Sequence, residues 1–418
     1  MLKASALYIV IIISLVIGVI CAALIATAYF YKAQYQKKFR YDQLQNNLSS
    51  GINILMASED TTLADGETLS LFGTGADSVM IRRIPWGIYD VGIAMAFIQK
   101  DTLFKTFSIA NTIDSSKWAA LYVIDEDRPL SLSGKTSVNG DAFIPKAGVT
   151  TAYVDNKAYQ GDQRLVTGHK YNSAKKLPQL DQKRLDQLNR RSPLNDSTLL
   201  KRDSVRQSFL RPTRYVNFKK RVQTIGDIKL SGNIVLLSDT TITIDSTAHL
   251  SDILIFAKTI VVKEGFRGNA QLFATDSVSI QNNCRFDYPS CAGILRCKPA
   301  SNKSQGRITL GQNTDFDGIL FTYEKTDNPL KPTIALGKHA KVTGQVYSQG
   351  IVELKDSTEV DGSVFTSRFL YRNSFTLYEN YLINTTLNSN ALSQYYLTSE
   401  LLPVSKKKKK ILQWLEAN

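Results

Sequence analysis

Histidine and cysteine, the residues that most often carry catalysis or bind metals, are scarce in this chain. Only 3 of its 418 residues are histidines and 4 are cysteines. His169, His249 and His339 lie in separate segments, and the cysteines lack a fourth ligand at a standard zinc spacing. The sequence also contains no glycine-rich phosphate-binding loop and no nucleophile motif. These absences predict a protein that is not an enzyme, with no catalytic residues, no cofactor and no metal site.

Charge is missing altogether from a segment near the N-terminus. Residues 4–30 are almost entirely apolar and contain no charged side chain. This run exceeds the roughly 20 residues that a helix needs to cross a bilayer, so it predicts an uncleaved membrane anchor. A signal peptide cleaved near Ala26, Thr27 and Ala28 is the alternative, but its apolar core would be unusually long.

The residues after this run continue a helical pattern. Residues 31–57 contain no proline. Apolar side chains recur there at helical spacing, at Phe39, Leu44, Leu48, Ile52 and Leu55. The sequence therefore predicts a transmembrane anchor and stalk helix over residues 1–57. This layout resembles the PilX-type minor pilins and pseudopilins of type IV pilus and type II secretion machinery, and the resemblance implies an exported subunit of an assembly.

A period of 18 residues runs through the second half of the chain. Six segments of the same pattern, some separated by insertions, open at Ile242, Ile260, Val278, Ile308, Ile334 and Val352. Alternation of apolar and polar residues within each segment indicates strands, and the fixed repeat indicates that the strands stack on one another. The predicted fold class is therefore mainly β. A short-coil β-helix, or solenoid, over residues 228–369 follows the membrane helix and a small β-rich region.

Two further features recur within the repeat. Small residues occupy one corner position, at Ala248, Cys284, Thr314, Ala340 and Thr358. Glycine recurs at Gly318, Gly344 and Gly362, where a turn needs a backbone conformation that a side chain would disfavour. An earlier copy of the pattern begins at Leu130. The sequence thus predicts a first coil over residues 130–148, followed by an interruption before the other coils.

The coil pattern resembles that of bactofilins, bacterial proteins that polymerise through a short-coil, right-handed β-helix. The resemblance rests on aliphatic residues followed by Ala or Thr, Val, Gly and Val at fixed offsets. It covers residues 228–369 together with the copy at Leu130. The resemblance implies a β-helix that can associate with further copies of itself.

Two regions flank the predicted coils. Residues 58–129 predict a β-rich packing region whose aromatic core candidates are Trp86, Tyr89, Phe97, Phe104, Phe107 and Trp118. Residues 370–418 predict a cap for the open end of the coils and then a basic tail. Five consecutive lysines beside Ile411, Leu412 and Trp414 indicate either a helix that contacts a membrane or partner, or a solvated tail.

Positive charge is concentrated in a predicted insertion over residues 149–227. Between Lys157 and Arg221 the chain has 17 Lys and Arg against 5 Asp. This composition predicts a partly disordered or short-helical arm that binds an anionic glycan or lipid, with a solvated loop as the alternative. Nucleic acid is not expected, because aromatic residues are not interleaved with the charges. The candidate polyanion-binding residues are Lys175, Lys176, Lys183, Arg184, Arg190, Arg191, Lys201 and Arg202.

Three cysteines lie close together in the sequence, at Cys284, Cys291 and Cys297. Cys284 takes the small corner position of its coil and is expected to point inward. If the body is exported, an oxidising environment would allow one disulfide, between Cys291 and Cys297, and leave one thiol free.

These features predict a single-pass inner-membrane protein with a periplasmic or extracellular body. In this interpretation the protein is a structural or assembly subunit of the cell envelope, and its β-helix serves assembly or surface contact. The expected partners are the membrane and either further copies or envelope proteins. The positive-inside rule opposes this orientation, because Lys3 precedes the span whereas the following cations are Lys32, Lys37, Lys38 and Arg40.

Two alternative functions remain open. The first is a bactofilin-like polymerising scaffold on the cytoplasmic face of the membrane. The second and more remote one is a β-helix enzyme acting on an envelope polysaccharide, with Asp315 and Asp317 as a carboxylate pair.

Overall fold

The computed structural model describes residues 2–58, 65–71, 77–190, 203–297, 304–326 and 328–417. The protein is mainly β-structure with one long N-terminal helix, which confirms that part of the predicted fold class. The chain divides into two compact units. Unit 1 contains residues 1–84, 92–107 and 416–418, and unit 2 contains residues 85–91 and 108–415.

The helices and strands follow one another in this order. The first part of the chain contains α1 (Leu2–Ala57), β1 (Glu67–Ser70), β2 (Asp77–Trp86), β3 (Tyr89–Ile98), β4 (Asp101–Ile113), β5 (Leu121–Val123), β6 (Leu130–Ser133), β7 (Ser137–Asn139), β8 (Ala142–Ile144), β9 (Val149–Thr151) and β10 (Lys170–Asn172). The middle contains α2 (Gln182–Asn189), β11 (Ser204–Gln207), β12 (Arg214–Asn217), β13 (Gln223–Ile225), β14 (Lys229–Gly232), β15 (Ile234–Leu237), β16 (Thr241–Ile244), β17 (His249–Ser251), β18 (Ile253–Val262), β19 (Arg267–Gly268), β20 (Ala270–Ile280) and β21 (Arg285–Arg296). The last part contains β22 (Arg307–Leu310), β23 (Asp315–Glu324), β24 (Thr333–Leu336), β25 (Lys341–Leu354), β26 (Glu359–Arg372), β27 (Leu377–Glu379), β28 (Tyr381–Ile383), β29 (Thr386–Asn388) and β30 (Ser405–Ala417).

The first half of α1 presents apolar side chains to its surroundings. All side chains from residue 6 to residue 38 are exposed. The helix from Ala6 onward is long and apolar enough to cross a membrane. The Ser14 and Thr27 hydroxyls donate hydrogen bonds of 2.9 and 2.8 Å to carbonyl oxygens of their own helix. Because these two polar groups are satisfied internally, they do not oppose burial of the helix in lipid.

The second half of α1 packs within unit 1. Leu44, Leu48, Ile52 and Leu55 are buried, as expected from their helical spacing. Phe39 differs from the expectation, because it is 54% exposed. Gly51 faces β2 so closely that a Cβ on it would lie 2.5 Å from a methyl group of Val79. The small residue therefore lets the helix approach the strand.

One sheet contains strands in the order β1-β2-β3-β4-β30, and β1 is antiparallel to β2. β30 lies at its edge and includes the five lysines at Lys406–Lys410. The prediction of a basic tail helix is therefore wrong, whereas four of the five lysines are exposed to solvent, as the alternative of a solvated tail implies. Pairing in the sheet supplies the backbone hydrogen bonds, and lysines on an edge strand hinder the addition of another strand.

Most strands of unit 2 belong to one closed sheet in which nearly all the neighbours are parallel. The six residues that open the sequence repeat are consecutive partners in this sheet. The register joins Ile242 to Ile260, Ile260 to Val278, Val278 to Ile308, Ile308 to Ile334, and Ile334 to Val352. The predicted alignment of the repeats is thus confirmed residue by residue. The strands that one repeat contributes are called a rung below.

The interior of the closed sheet consists of like residues in contact. The six repeat-opening residues are fully buried in one continuous core. Phe266, Phe286 and Phe316 form an interior series with ring centroids 5.1 Å apart at each step. This distance is close to the spacing of about 4.8 Å between paired strands. Backbone pairing and side-chain packing therefore share one repeat distance.

Glycine is required where the backbones of adjacent rungs approach each other. Gly318, Gly344 and Gly362 are register partners with φ values of +150°, +145° and +148°. A Cβ on Gly344 would lie 2.0 Å from the carbonyl oxygen of Gly318. A side chain at this position would meet both an unfavourable backbone conformation and a steric clash.

The copy of the repeat at Leu130 does not precede the other rungs in space. β29 pairs with both β26 and β7, and β28 pairs with β6. Strands from residues 130–144 therefore lie beyond the last repeat, with residues 121–123 and 381–388 between them. This differs from the predicted order and from the predicted cap, because part of that segment forms a further rung. A pattern local to each repeat carries no information about which rungs become neighbours.

The ends of the closed sheet are formed by the predicted insertion. β11, β12 and β13 pair with β14, β15 and β16, so residues 204–225 supply the rung at one end. At the other end Tyr159, Leu165 and Val166 pack on the core. The expectation of a disordered arm is wrong for these segments, while the short-helical part corresponds to α2.

Replacing Gly344 by alanine tests the contact between rungs. We expect Gly344→Ala to lower the free energy of unfolding by several kcal/mol, because the new methyl group clashes with the Gly318 carbonyl. Gly265→Ala is the matched control, since Gly265 also has a positive φ (+79°) but no atom within 4 Å of a Cβ. It should cost only about 1–2 kcal/mol, from backbone strain. Urea unfolding of the detergent-solubilised chain measures both, and equal midpoints would contradict the packing described.

Candidate binding surface

An aromatic ladder runs along the outer face of the closed sheet. Its members occupy corresponding positions of successive rungs and are Phe256, Phe273, Phe321, Tyr347, Phe365, Tyr122, Phe143 and Tyr171. Neighbouring rings stack at 4.8 Å between Phe256 and Phe273 and at 5.2 Å between Phe365 and Tyr122. Gly293 takes the rung between Phe273 and Phe321, and the Phe321 ring fills the space that its side chain would need.

Residues 173–190, called the return segment below, cross this ladder at Tyr122 and Tyr347. The Tyr122 hydroxyl accepts a hydrogen bond from the Ala174 amide at 3.1 Å. The Tyr347 hydroxyl donates one to the Pro178 carbonyl oxygen at 2.9 Å. The return segment leads the chain from the rung at residues 142–144 back toward the rung at residues 204–225. Much of the basic insertion is thus a structural connection along the sheet.

Arg184 lies at the centre of a buried ion cluster in the return segment. Its guanidinium donates to Asp90 Oδ1 at 2.7 Å, to the Tyr89 carbonyl oxygen at 3.0 Å and to Glu400 Oε2 at 3.1 Å. The Arg184 side chain is only 3% exposed. Burial opposes its charge, but the Asp90 and Glu400 carboxylates outweigh this and raise the pKa of Arg184. The prediction that Arg184 binds an external polyanion is therefore wrong.

The other predicted polyanion-binding residues fall into two groups. Lys175, Lys176, Lys183 and Arg190 are exposed on the return segment. Of these, Lys175 lies 4.0 Å from the Asp127 carboxylate. Arg191, Lys201 and Arg202 are outside the described residues. The four exposed cations remain candidates for contact with an anionic partner.

The predicted disulfide between Cys291 and Cys297 is not present, and none of the four cysteines is disulfide-bonded. Residues 290–296 are paired continuously with β23, so the two cysteines are separated by about 20 Å of extended strand. A disulfide needs Cα atoms within about 7 Å of each other. Cys291 is fully buried, which raises the pKa of its thiol. Cys284 lies in the core of the closed sheet, which confirms that it points inward.

The histidines and the Asp315–Asp317 pair do not form one site. His249 and His339 are exposed, and His339 is a turn residue with φ of +56°. His169 lies beside Asp141, with 3.3 Å between Nδ1 and Oδ1. Burial raises the pKa of Asp317, and a hydrogen bond with Thr343 opposes this shift. The absence of enzymatic activity stays a prediction.

Sequence reasoning missed Asp90 and Glu400, the partners of Arg184. They lie 94 and 216 residues away from it in the chain, and nothing near either residue marks it as buried. Sequence reasoning also did not single out the cations of the rung at residues 204–225. These side chains are exposed or half-buried and are Arg206, Arg211, Arg214, Lys219, Lys220 and Arg221. The high density of Lys and Arg between residues 206 and 221 was the signal by which the sequence could have identified this group of cations.

Removing the buried guanidinium should destabilise unit 2. We expect Arg184→Met to cost about 3–5 kcal/mol, because it leaves the Asp90 carboxylate buried without its cation. The adjacent, exposed Lys183 provides the control, and Lys183→Met should change stability by less than about 0.5 kcal/mol. The double variant Arg184→Met with Asp90→Leu should recover part of the loss. Similar urea midpoints for the two single variants would count against the ion cluster.

Comparisons with known proteins do not assign a family to the chain. No family profile and no curated protein matches the sequence. Among solved structures, the competence-associated pilin ComZ from Thermus thermophilus aligns over 90% of this chain and 97% of its own. The identity is 8% and the TM-score is 0.24. At that score the likeness does not establish a shared fold.

Proposed function

We propose that the protein is an exported, membrane-anchored structural subunit with the layout of a pilin or pseudopilin. The observation that carries this proposal is the difference in burial between the two halves of α1. Its first half is apolar and exposed, while Leu44, Leu48, Ile52 and Leu55 in its second half pack within unit 1. A single helix thus joins a lipid-compatible segment directly to a folded body.

The length of the exposed segment fits a membrane. Residues 6–30 would extend about 37 Å as a helix, which exceeds the hydrocarbon core of about 30 Å. Tyr29, Phe30 and Tyr31 follow at the end of the run, where aromatic side chains favour the membrane interface. The hydroxyls of Ser14 and Thr27 bond within the helix and need no external partner.

We further propose that the closed parallel sheet is a β-helix that acts as a rigid spacer or assembly surface. Its support is the register in which each repeat pairs with the next. Repeats that share one hydrogen-bond spacing stack into a stiff body. In this role the body needs no catalytic centre.

A cytoplasmic scaffold of the bactofilin kind is the second candidate. The observation that favours it is the group of exposed cations just after the span, at Lys32, Lys37 and Lys38. Positive residues next to a span are normally retained on the cytoplasmic side. In this alternative the parallel rungs would serve polymerisation beneath the membrane. We favour export because the uncharged apolar run continues as a stalk helix into a β-rich body, which is the layout of pilins and pseudopilins.

Deleting the exposed apolar half of the helix tests the anchor. A chain that lacks residues 4–30 should move from the membrane fraction to the soluble fraction, because the remaining helix packs within unit 1. The full-length protein, extracted only by detergent, is the control. Full-length protein that is released by high salt alone would show that α1 does not span the bilayer.

Reporter fusions test the orientation. Alkaline phosphatase, which is active only outside the cytoplasm, should be active when fused after Asn418, whereas a fluorescent protein that matures only in the cytoplasm should be dark there. Substituting Lys32, Lys37 and Lys38 by glutamine should strengthen the phosphatase signal, since it removes positive charge from the exported flank. The reverse pattern in the unmodified chain would select the cytoplasmic scaffold.

A further inference from the structure

A solvent-open cleft with a volume of about 100 Å³ lies on the outer face of unit 2. It is formed by β12, β15 and β18, the C-terminal end of α2 and the loop at residues 85–87. It is open to solvent, so it can hold one end of a ligand whose remainder lies on the outer face of the sheet. Leu188, Val235, Leu237, Leu254 and Phe256 give it an apolar floor.

Polar side chains without protein partners line the same cleft. Gln187, Arg190, Thr213 and Tyr215 face it. None of the four makes a side-chain hydrogen bond or ion pair within the described part of the chain. Polar groups that converge on an apolar pocket in this way typically orient a ligand. The amide, hydroxyl and guanidinium together offer donors and acceptors for a hydroxyl-rich molecule.

The charge of the cleft selects the class of ligand. None of the described residues that line it is a carboxylate, and Arg190 contributes a cation to its wall. Arg211 and Arg214 lie within two residues of Thr213 in the chain and make no ion pair among the described residues. A guanidinium binds a carboxylate through two parallel hydrogen bonds, which gives both affinity and geometry. Tyr215, which is half-buried, adds aromatic surface on which the C–H face of a sugar ring can pack.

We propose that this cleft binds the uronate units of an acidic polysaccharide. The sugar carboxylate pairs with Arg190, its hydroxyls bond to Gln187 and Thr213, and its ring packs on Tyr215. The proposal goes beyond the anchoring role. Because it concerns binding by the purified chain, it does not depend on the orientation of the membrane helix. The two proposals can therefore fail separately.

The binding is measured by titration calorimetry on the detergent-solubilised full-length protein with hexagalacturonate as the probe. The fully methyl-esterified hexamer is the matched neutral ligand, since it differs only in charge. We expect binding of the acidic hexamer and at least about tenfold weaker binding of the ester, because the ester lacks the charge-assisted hydrogen bonds to Arg190. Higher salt should weaken binding of the acid more than that of the ester.

Arg190→Gln and Tyr215→Ala should each weaken binding of the acidic hexamer by about tenfold. Lys263→Gln is the control, because Lys263 is exposed on another rung and does not line the cleft. It should leave the affinity unchanged. If either cleft variant fails to fold, Thr213→Val removes a lining hydroxyl with little change in volume and should still reduce the affinity.

Four results would overturn the proposal. The first is no measurable binding of hexagalacturonate to the folded protein. The second is equal affinity for the acid and its methyl ester. The third is equal losses of affinity in Arg190→Gln and Lys263→Gln. The fourth is equal affinity for linear polyphosphate, which would indicate a general surface for polyanions instead of a sugar site.

Discussion

Parallel backbone pairing between rungs sets the distance at which every other group of unit 2 must fit. The hydrogen bonds hold successive rungs about 4.8 Å apart. At this spacing like residues contact like residues, as in the interior series Phe266, Phe286 and Phe316. Where the backbones of adjacent rungs approach most closely, only glycine fits. A Cβ on Gly344 would lie 2.0 Å from the carbonyl oxygen of Gly318. The repeat in the sequence is the consequence of this one distance.

The return segment follows from the same constraint. Parallel strands cannot be joined by tight hairpins, so a chain that places residues 130–144 at one end of the sheet must travel back before it can form the rung at residues 204–225. The connection crosses the aromatic ladder and is fixed there by Tyr122, Tyr347 and the buried Arg184. Its basic composition thus serves two purposes, since one cation is structural and others remain exposed.

The sequence was informative where a feature depends on neighbours in the chain. Helical spacing located the buried face at Leu44 and Leu48, and the 18-residue period gave the register from Ile242 to Val352. It failed where distant segments meet. Neither the place of the Leu130 copy nor the pairing of Arg184 with Asp90 has a local signal. The prediction of a helix at the lysines of β30 failed for the same reason, because pairing with a distant strand of the sheet outweighed the local helical preference.

The interleaved order of the rungs has a consequence for synthesis. Residues 381–388 lie between the last repeat and the strands β6 and β7, so these early strands cannot be completed until a late part of the chain is made. While the chain emerges from the ribosome, β6 has only β9 as a partner, and β7 lacks β29. Contacts of such long sequence separation form slowly and leave strand edges open to aggregation. Completion of this end of unit 2 therefore has to follow translation, and a chain that stops before residue 381 cannot close it.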